Sequence, residues 1–306
     1  MNTPSAFAPV SVEWAFARYE ALRPRLPQAG FPAASVQVAD LSAVFDRYDG
    51  FILDAFGVLN VGDTVIPGAV ERLAQMRAAG KKVAVLTNGA SHPRAAALAK
   101  YARFGFDFAP DEVIASRDLA ARALRAHDPA MRWAAITAPG AGFADLPAQV
   151  AALDEDLLHR ADGFLFLGAE GWTPARQAAL VAALRAAPRP VIVANPDIVA
   201  PREDGLTLEP GHFGHDLPLF EGTAPRPVFH GKPYGPALEA ALETMGGTPR
   251  ARVAMVGDTL HTDVLGGRAA GLGTVLIAGH GLFRGLDPAG FIARSGIVPD
   301  VIAETT

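Results

Sequence analysis

Four short segments carry residue types suited to phosphate and hard-metal chemistry, each where an apolar run breaks off. In FILDAFGVLN the run ends at Asp54, with Gly57 close behind. Aspartate is disfavoured inside strands, and at the carboxyl end of a parallel strand it would point into the crevice where open α/β sheets bind ligands. A turn or cap role is the plainer alternative. VAVLTNGASHP empties into Thr87, Asn88 and Gly89 ahead of a helix starting near Pro93. A hydroxyl and main-chain amides before a helix N-terminus can grip phosphate, and Thr87 or Ser91 could equally just cap the helix. In FHGKPYGPALEAAL, Lys232 follows Gly231, where an ammonium can neutralise a phosphoryl oxygen and lower the pKa of a nearby carboxylate. RVAMVGDTLHTDVLGG offers Asp258 after a strand and Asp263 on the first turns of a helix. Two carboxylates there, near Asp54, make an oxygen site suited to Mg²⁺, although a helix-start Asp often only offsets the dipole.

These residues need a scaffold that ends several strands side by side. Short β-type runs recur at Phe51–Leu53, Val83–Leu86, Ala134–Thr137, Phe164–Leu167, Val191–Ala194, Val253–Val256 and Thr274–Ile277, each followed by a helical pattern such as Pro93–Phe104 or Thr173–Ala187. Apolar strands alternating with helices predict an α/β fold with a parallel sheet covered on both faces. Ahead of them, Val12–Leu22 has helical spacing and precedes Pro24, Pro27 and Pro32, which marks an N-terminal appendage.

Bulk properties narrow the partners. The chain has 306 residues, half of them apolar, which is ample for a large core. A formal charge of −5 supplies no basic face for nucleic acid. No cysteine is present, so thiolate metal sites and cysteine nucleophiles are excluded. With no signal-peptide pattern and no long apolar run, no membrane association and a cytoplasmic location are expected.

Taken in order, Asp54 with Gly57-Val58, Thr87-Asn88, Gly231-Lys232-Pro233 and Gly257-Asp258 with Asp263 resemble the four motifs of the haloacid dehalogenase superfamily. The long gap before the third motif, with VIVANPD at Val191–Asp197, is similar to the class IIA branch, which includes pyridoxal and p-nitrophenyl phosphatases. The match runs from about Tyr48 to the C-terminus. The resemblance implies a Rossmann-like, doubly wound core over 46–128 and 227–306, an inserted α/β cap over 129–226, and a helical extension over 1–45. It also implies that Asp54 is the nucleophile, forming an aspartyl-phosphate, and that Thr87, Asn88, Gly89 and Lys232 hold the phosphoryl group. Mg²⁺ would be bound by Asp54, the backbone carbonyl of Phe56 and Asp258, with Asp263 supporting the shell through water or Lys232. The cap would open and close about hinges near 128 and 226, and a homodimer through the cap is one option that relatives suggest.

One position departs from the pattern. The family phosphatases read Asp-x-Asp at the first motif, whereas this chain reads Asp54-Ala55-Phe56. Phe56 can neither protonate a leaving oxygen nor activate water, and general acid–base help is worth about 10²–10⁴-fold, or roughly 3–5 kcal/mol of barrier. The expectation is a phosphatase for a small phosphorylated metabolite, slow or assisted by Asp63, His212, His215 or Asp216. Trp172, Phe213 and the loop from Pro201 to Phe220 are expected to line the cap side of the cleft. The main alternative is a phosphate-ligand binding or regulatory module. Cleavage of another bond carries less weight: dehalogenases dispense with the metal, and a phosphonate hydrolase needs a cap lysine that is absent between Tyr101 and Gly231.

Overall fold

A computed structural model describes residues 10–218 and 225–306 of the chain. Among the described residues the larger sheet has seven parallel strands, in the order Val36–Asp40, Val301–Thr305, Gly273–Ile277, Val253–Gly257, Gly50–Leu53, Lys82–Thr87 and Val113–Ala115. The strands Gly50–Leu53, Val253–Gly257 and Gly273–Ile277 are buried at every position, as a sheet covered on both faces requires. From Gly50–Leu53 the chain steps outward to Lys82–Thr87 and Val113–Ala115, and it later builds the opposite side from Val253–Gly257 outward. The winding direction therefore reverses between Gly50–Leu53 and Val253–Gly257. A reversal of this kind opens a crevice at the carboxyl ends of the two strands, and Asp54 and Asp258 sit at that point.

The expected helical extension over 1–45 needs correction. Its helix spans Val12–Leu22, with the Ser11 hydroxyl accepting from the Trp14 N–H at 3.1 Å as the cap. Residues Val36–Asp40, however, form an edge strand of the core, paired in parallel with Val301–Thr305. Five short, largely exposed residues gave no apolar run by which to read a strand. Residues 1–9 of the expected extension lie outside the described part.

A second parallel sheet is inserted between Val113–Ala115 and Val253–Gly257, in the order Val228–Phe229, Val191–Val193, Gly163–Phe166, Arg132–Ile136 and Gln149–Ala152. The cap border expected at 226 falls short, because Val228 and Phe229 pair with Ile192 and Val193, and the His230 N–H still donates to the Val193 carbonyl at 2.9 Å. Trp172 and Phe213, expected at the cleft, instead pack in the cap core with Phe164, Phe166 and Leu180. Leu219 and Phe220, the end of the expected cleft loop, lie outside the described residues. No described helix is long and apolar enough to cross a membrane.

Three connections hold cap and core together. The hairpin Val199–Arg202 with Gly205–Leu208 reaches from the cap to the core, where Glu203 accepts from the Asp63 N–H at 2.8 Å. The N-terminal helix buries Ala15, Tyr19 and Leu22, one helical stripe, against Ile198 and Val199 of the insert and Leu260, Leu265, Leu276 and Ile302 of the core. Third, fully buried Arg117 grips both carboxylate oxygens of Asp145 at 2.7 Å and the Gly142 carbonyl at 2.6 Å from the cap, and the Ala90 and Ser91 carbonyls from the core. Without Arg117 the Ala90, Ser91 and Gly142 carbonyls lose a donor, while Asp145, 33 % exposed, can turn to water. Arg117→Leu should lose about 1–3 kcal/mol of stability in urea titrations; an unchanged stability would mean that water replaces these bonds in full.

Candidate active site

The carboxylates of the site follow two neighbouring strands, Asp54 after Gly50–Leu53 and both Asp258 and Asp263 after Val253–Gly257. The Asp54 N–H donates to the Val256 carbonyl at 2.8 Å, extending the ladder one residue past Gly50–Leu53 and placing the side chain at the sheet edge. Its Oδ1 accepts from the Ala55 N–H at 2.7 Å. Gly57 is required twice over: its φ is +74°, and a Cβ there would stand 2.5 Å from the Asp258 carboxylate. Asp258 is fixed by the Thr259 hydroxyl and the Leu282 N–H, each donating at 2.8 Å. Asp263 lies on a single π-helical turn, Leu260–Val264, rather than on an α-helical one, and its Oδ2 accepts from the Thr259 N–H at 3.1 Å.

Lys232 joins these groups. Its side chain is 1 % exposed, and Nζ stands 2.6 Å from Asp54 Oδ1 and 2.7 Å from Asp263 Oδ1. Carboxylate oxygens of Asp54, Asp258 and Asp263 all lie within 4.8 Å of one another. Burial pushes the Asp54 carboxyl up to about 7, against the pull of Lys232. Burial, reinforced by the charges of Asp263 and Asp54, pushes Asp258 up to about 8. For Lys232, burial disfavours the charged form, yet the surrounding aspartates outweigh it and raise the ammonium above its ordinary value. Three hard oxygen donors whose mutual repulsion a cation would relieve are a chemically apt set for Mg²⁺.

The second motif builds the opposite wall. Thr87 closes its strand, and its hydroxyl accepts from the Gly89 N–H at 3.1 Å. Asn88 turns inward: its Oδ1 accepts from the Lys232 N–H at 2.7 Å, while Nδ2 donates to the Lys232 carbonyl at 3.0 Å and to Asp197 Oδ1 at 2.8 Å. Its carboxamide thus clamps the lysine main chain. Asp197, whose carboxyl burial holds well above the usual range, was missed as a site residue. The available signal was the one that found the others, an apolar strand, Val191–Val193, emptying into polar Asn195 and Asp197.

Phe56 is half-buried against the core, with the Lys100 ammonium 5.0 Å and the Arg202 guanidinium 4.8 Å from its ring centre. Arg202 comes from the cap hairpin, a contact with no sequence signal. The four candidates for a replacement acid are placed elsewhere. Asp63 has a 91 % exposed side chain, 3.8 Å from Lys100. His212 packs edge-on against Trp14, Asp216 pairs with Arg18, and His215 stacks on Phe229, all around the N-terminal helix and the cap. Burial also drives His215 down to about 3, leaving it neutral. Proximity in sequence to the NPD run did not carry these side chains to Asp54.

Comparison with known proteins agrees with this layout. Residues 51–145 match the family of haloacid dehalogenase-like hydrolases, and residues 229–304 match a HAD-hydrolase-like family. The first stretch holds Asp54 and Thr87, the second Lys232, Asp258 and Asp263. The chain is similar to the glycerol-3-phosphate phosphatase of Gallus gallus, 31 % identical over 291 residues that cover 86 % of this chain and 91 % of that one. It is likewise similar to chronophin of Homo sapiens, 31 % identical over 261 residues, 78 % of this chain and 83 % of the relative. Among solved structures, a p-nitrophenyl phosphatase from Archaeoglobus fulgidus superposes with a TM-score of 0.66 at 27 % identity, covering 84 % of this chain and 96 % of that one. Both flanks of the inserted sheet are matched and the relatives align over most of their length, so the chain belongs to the haloacid dehalogenase-like hydrolases, in their class IIA branch.

Proposed function

We propose that the protein is a Mg²⁺-dependent phosphatase of small phosphorylated metabolites, with Asp54 as the nucleophile. The observation that carries this reading is the buried ammonium of Lys232 between Asp54 and Asp263, with Asp258 alongside. An Asp54 oxygen bonds to phosphorus as the ester P–O bond breaks, and the leaving oxygen takes its proton from solvent. Water then attacks the aspartyl-phosphate, releasing inorganic phosphate and restoring the carboxylate. Lys232 offsets the phosphoryl charge, and the Thr87 hydroxyl with the main-chain amides of Asn88 and Gly89 holds the phosphoryl oxygens. Mg²⁺, bound by Asp54, the Phe56 carbonyl and Asp258 with Asp263 behind, would supply the countercharge that lets two anions approach. Relatives named for glycerol 3-phosphate and p-nitrophenyl phosphate support small phosphomonoesters, polyol or sugar phosphates among them, as the substrate class. A phosphate-binding module without turnover is the second reading, favoured only by Phe56.

Turnover of p-nitrophenyl phosphate should require Mg²⁺ and vanish in Asp54→Asn. Residual Mg²⁺-dependent hydrolysis by that variant would remove Asp54 as nucleophile, and an inactive wild type that still binds inorganic phosphate would leave the binding module.

Asp54 and Asp258 carry folded-state values of about 7 and about 8, above the ordinary carboxylate range. The metal-free fold therefore loses stability as pH rises from the unfolded carboxylate range, about 4, up to these values, and a bound cation offsets the cost. Mg²⁺ should raise the Tm more at about pH 8.5 than at about pH 5.5; equal shifts would argue against these carboxylates as ligands.

Without an acid at position 56, departure should depend steeply on the leaving alcohol's own acidity. Aryl and acyl phosphates should react far faster than alkyl phosphates, and Phe56→Asp should raise alkyl phosphate hydrolysis by about 10²-fold. A flat leaving-group series in the wild type would mean that another group already donates the proton.

A further inference from the structure

The N-terminal helix, Val12–Leu22, precedes both family-matched segments, yet it is wired into the site. The Tyr19 hydroxyl oxygen accepts from the Ile198 N–H at 3.0 Å. The neighbouring Asp197 carboxylate accepts from Asn88, whose carboxamide clamps the main chain of Lys232 from both sides, and Lys232 in turn contacts Asp54. On its other side the Tyr19 ring stacks on His261, centroids 4.8 Å apart and planes within 7°, on the π-helical turn that carries Asp263. His261 is itself anchored to the same helix, its Nε2 2.5 Å from Glu20 Oε1. Tyr19 is 3 % exposed. It therefore touches two of the three polypeptide turns that deliver carboxylates around the lysine, those of Asp197 and Asp263.

We propose that Tyr19 is a positioning residue for the reaction, fixing the Asn195-Pro196-Asp197 turn against the Asp263 turn and so setting the Lys232 ammonium relative to Asp54. The inference rests on the phosphatase reading for its kinetic consequence but not for its structural one. Tyr19→Phe keeps the stack and deletes the acceptor, leaving the Ile198 amide unpaired in a buried setting. The loosened turn relaxes Asp197, then Asn88, then the lysine main chain. An ammonium aimed at charge that develops in the transition state, and less at the ground state, affects kcat more than KM.

The test compares wild type, Tyr19→Phe, Tyr19→Leu and Glu13→Ala, a change on the Tyr19 helix that breaks an exposed pair with Arg294 of the helix Ala289–Ser295. All assays run below the onset of each variant's thermal unfolding. Amide hydrogen exchange is followed over 195–199 and 230–234, and p-nitrophenyl phosphate kinetics are measured alongside. Expected are faster exchange over both stretches in Tyr19→Phe and a kcat reduced about tenfold with KM nearly unchanged. Tyr19→Leu should lose more, and Glu13→Ala should match wild type. Unaltered exchange over 230–234 in Tyr19→Phe overturns the relay, as does a lowered Tm with kcat and exchange intact, the mark of a merely structural tyrosine. A wild type without turnover sinks the phosphatase reading alone, since the exchange data still decide the relay.

Discussion

One buried ammonium sets the terms for the rest of the molecule. Asp54, Asp258 and Asp263 crowd their oxygens within 4.8 Å, and like charges at that spacing repel by about 3–4 kcal/mol per pair at an effective dielectric constant near 20. Lys232, within 2.7 Å of two of them, is the compensating charge that the protein itself provides. A lysine so placed cannot be left to its flexible stem. Its main chain is clamped by Asn88, and Gly231 before it, at φ +135°, leaves no room for a Cβ beside Asn88, Ser116 and Pro196. The order of the core strands follows from the same need, since it ends Gly50–Leu53, Lys82–Thr87 and Val253–Gly257 next to one another.

Much of this was legible in the chain because three of the functional residues close an apolar run. Asp54, Thr87 and Asp258 could be read from strand endings, and the winding of the core from the alternation of strands with helices. The edge strand Val36–Asp40 could not, since its residues are largely exposed and its partner lies some 260 positions away. Two-residue Val228–Phe229 carries no period at all. Spatial neighbourhood was the larger gap. His212, His215 and Asp216 follow the NPD run in sequence but face the N-terminal helix and Phe229, whereas Asp197, inside that run, reaches Asn88. Trp172 and Phe213 fill the cap core rather than the cleft, the commoner fate of large aromatics.

Phe56 sits where the core meets the cap hairpin. Lys100 from the core and Arg202 from the cap hairpin approach the same ring, each at a distance typical of cation–π contact. Arg202 is further held by Glu209 at 3.2 Å, and Glu203 on the same hairpin takes the Asp63 amide. Position 56 thereby serves the seating of the cap hairpin on the core, so a substitution there bears on the domain interface as well as on the site.

The N-terminal helix also imposes an order on how the protein can assemble. It is the first described element to leave the ribosome, yet it docks on Ile198, Asp216, His261 and Phe291, residues synthesised about 180 to 280 positions later. Loop closure over such a span is slow, and an isolated helix of 11 residues is marginal in water. During synthesis this segment must wait, its apolar stripe uncovered, until both the insert and the strand bearing Asp258 have formed. Its docking then registers that cap and core have folded against each other, so an element made early is among those that settle late.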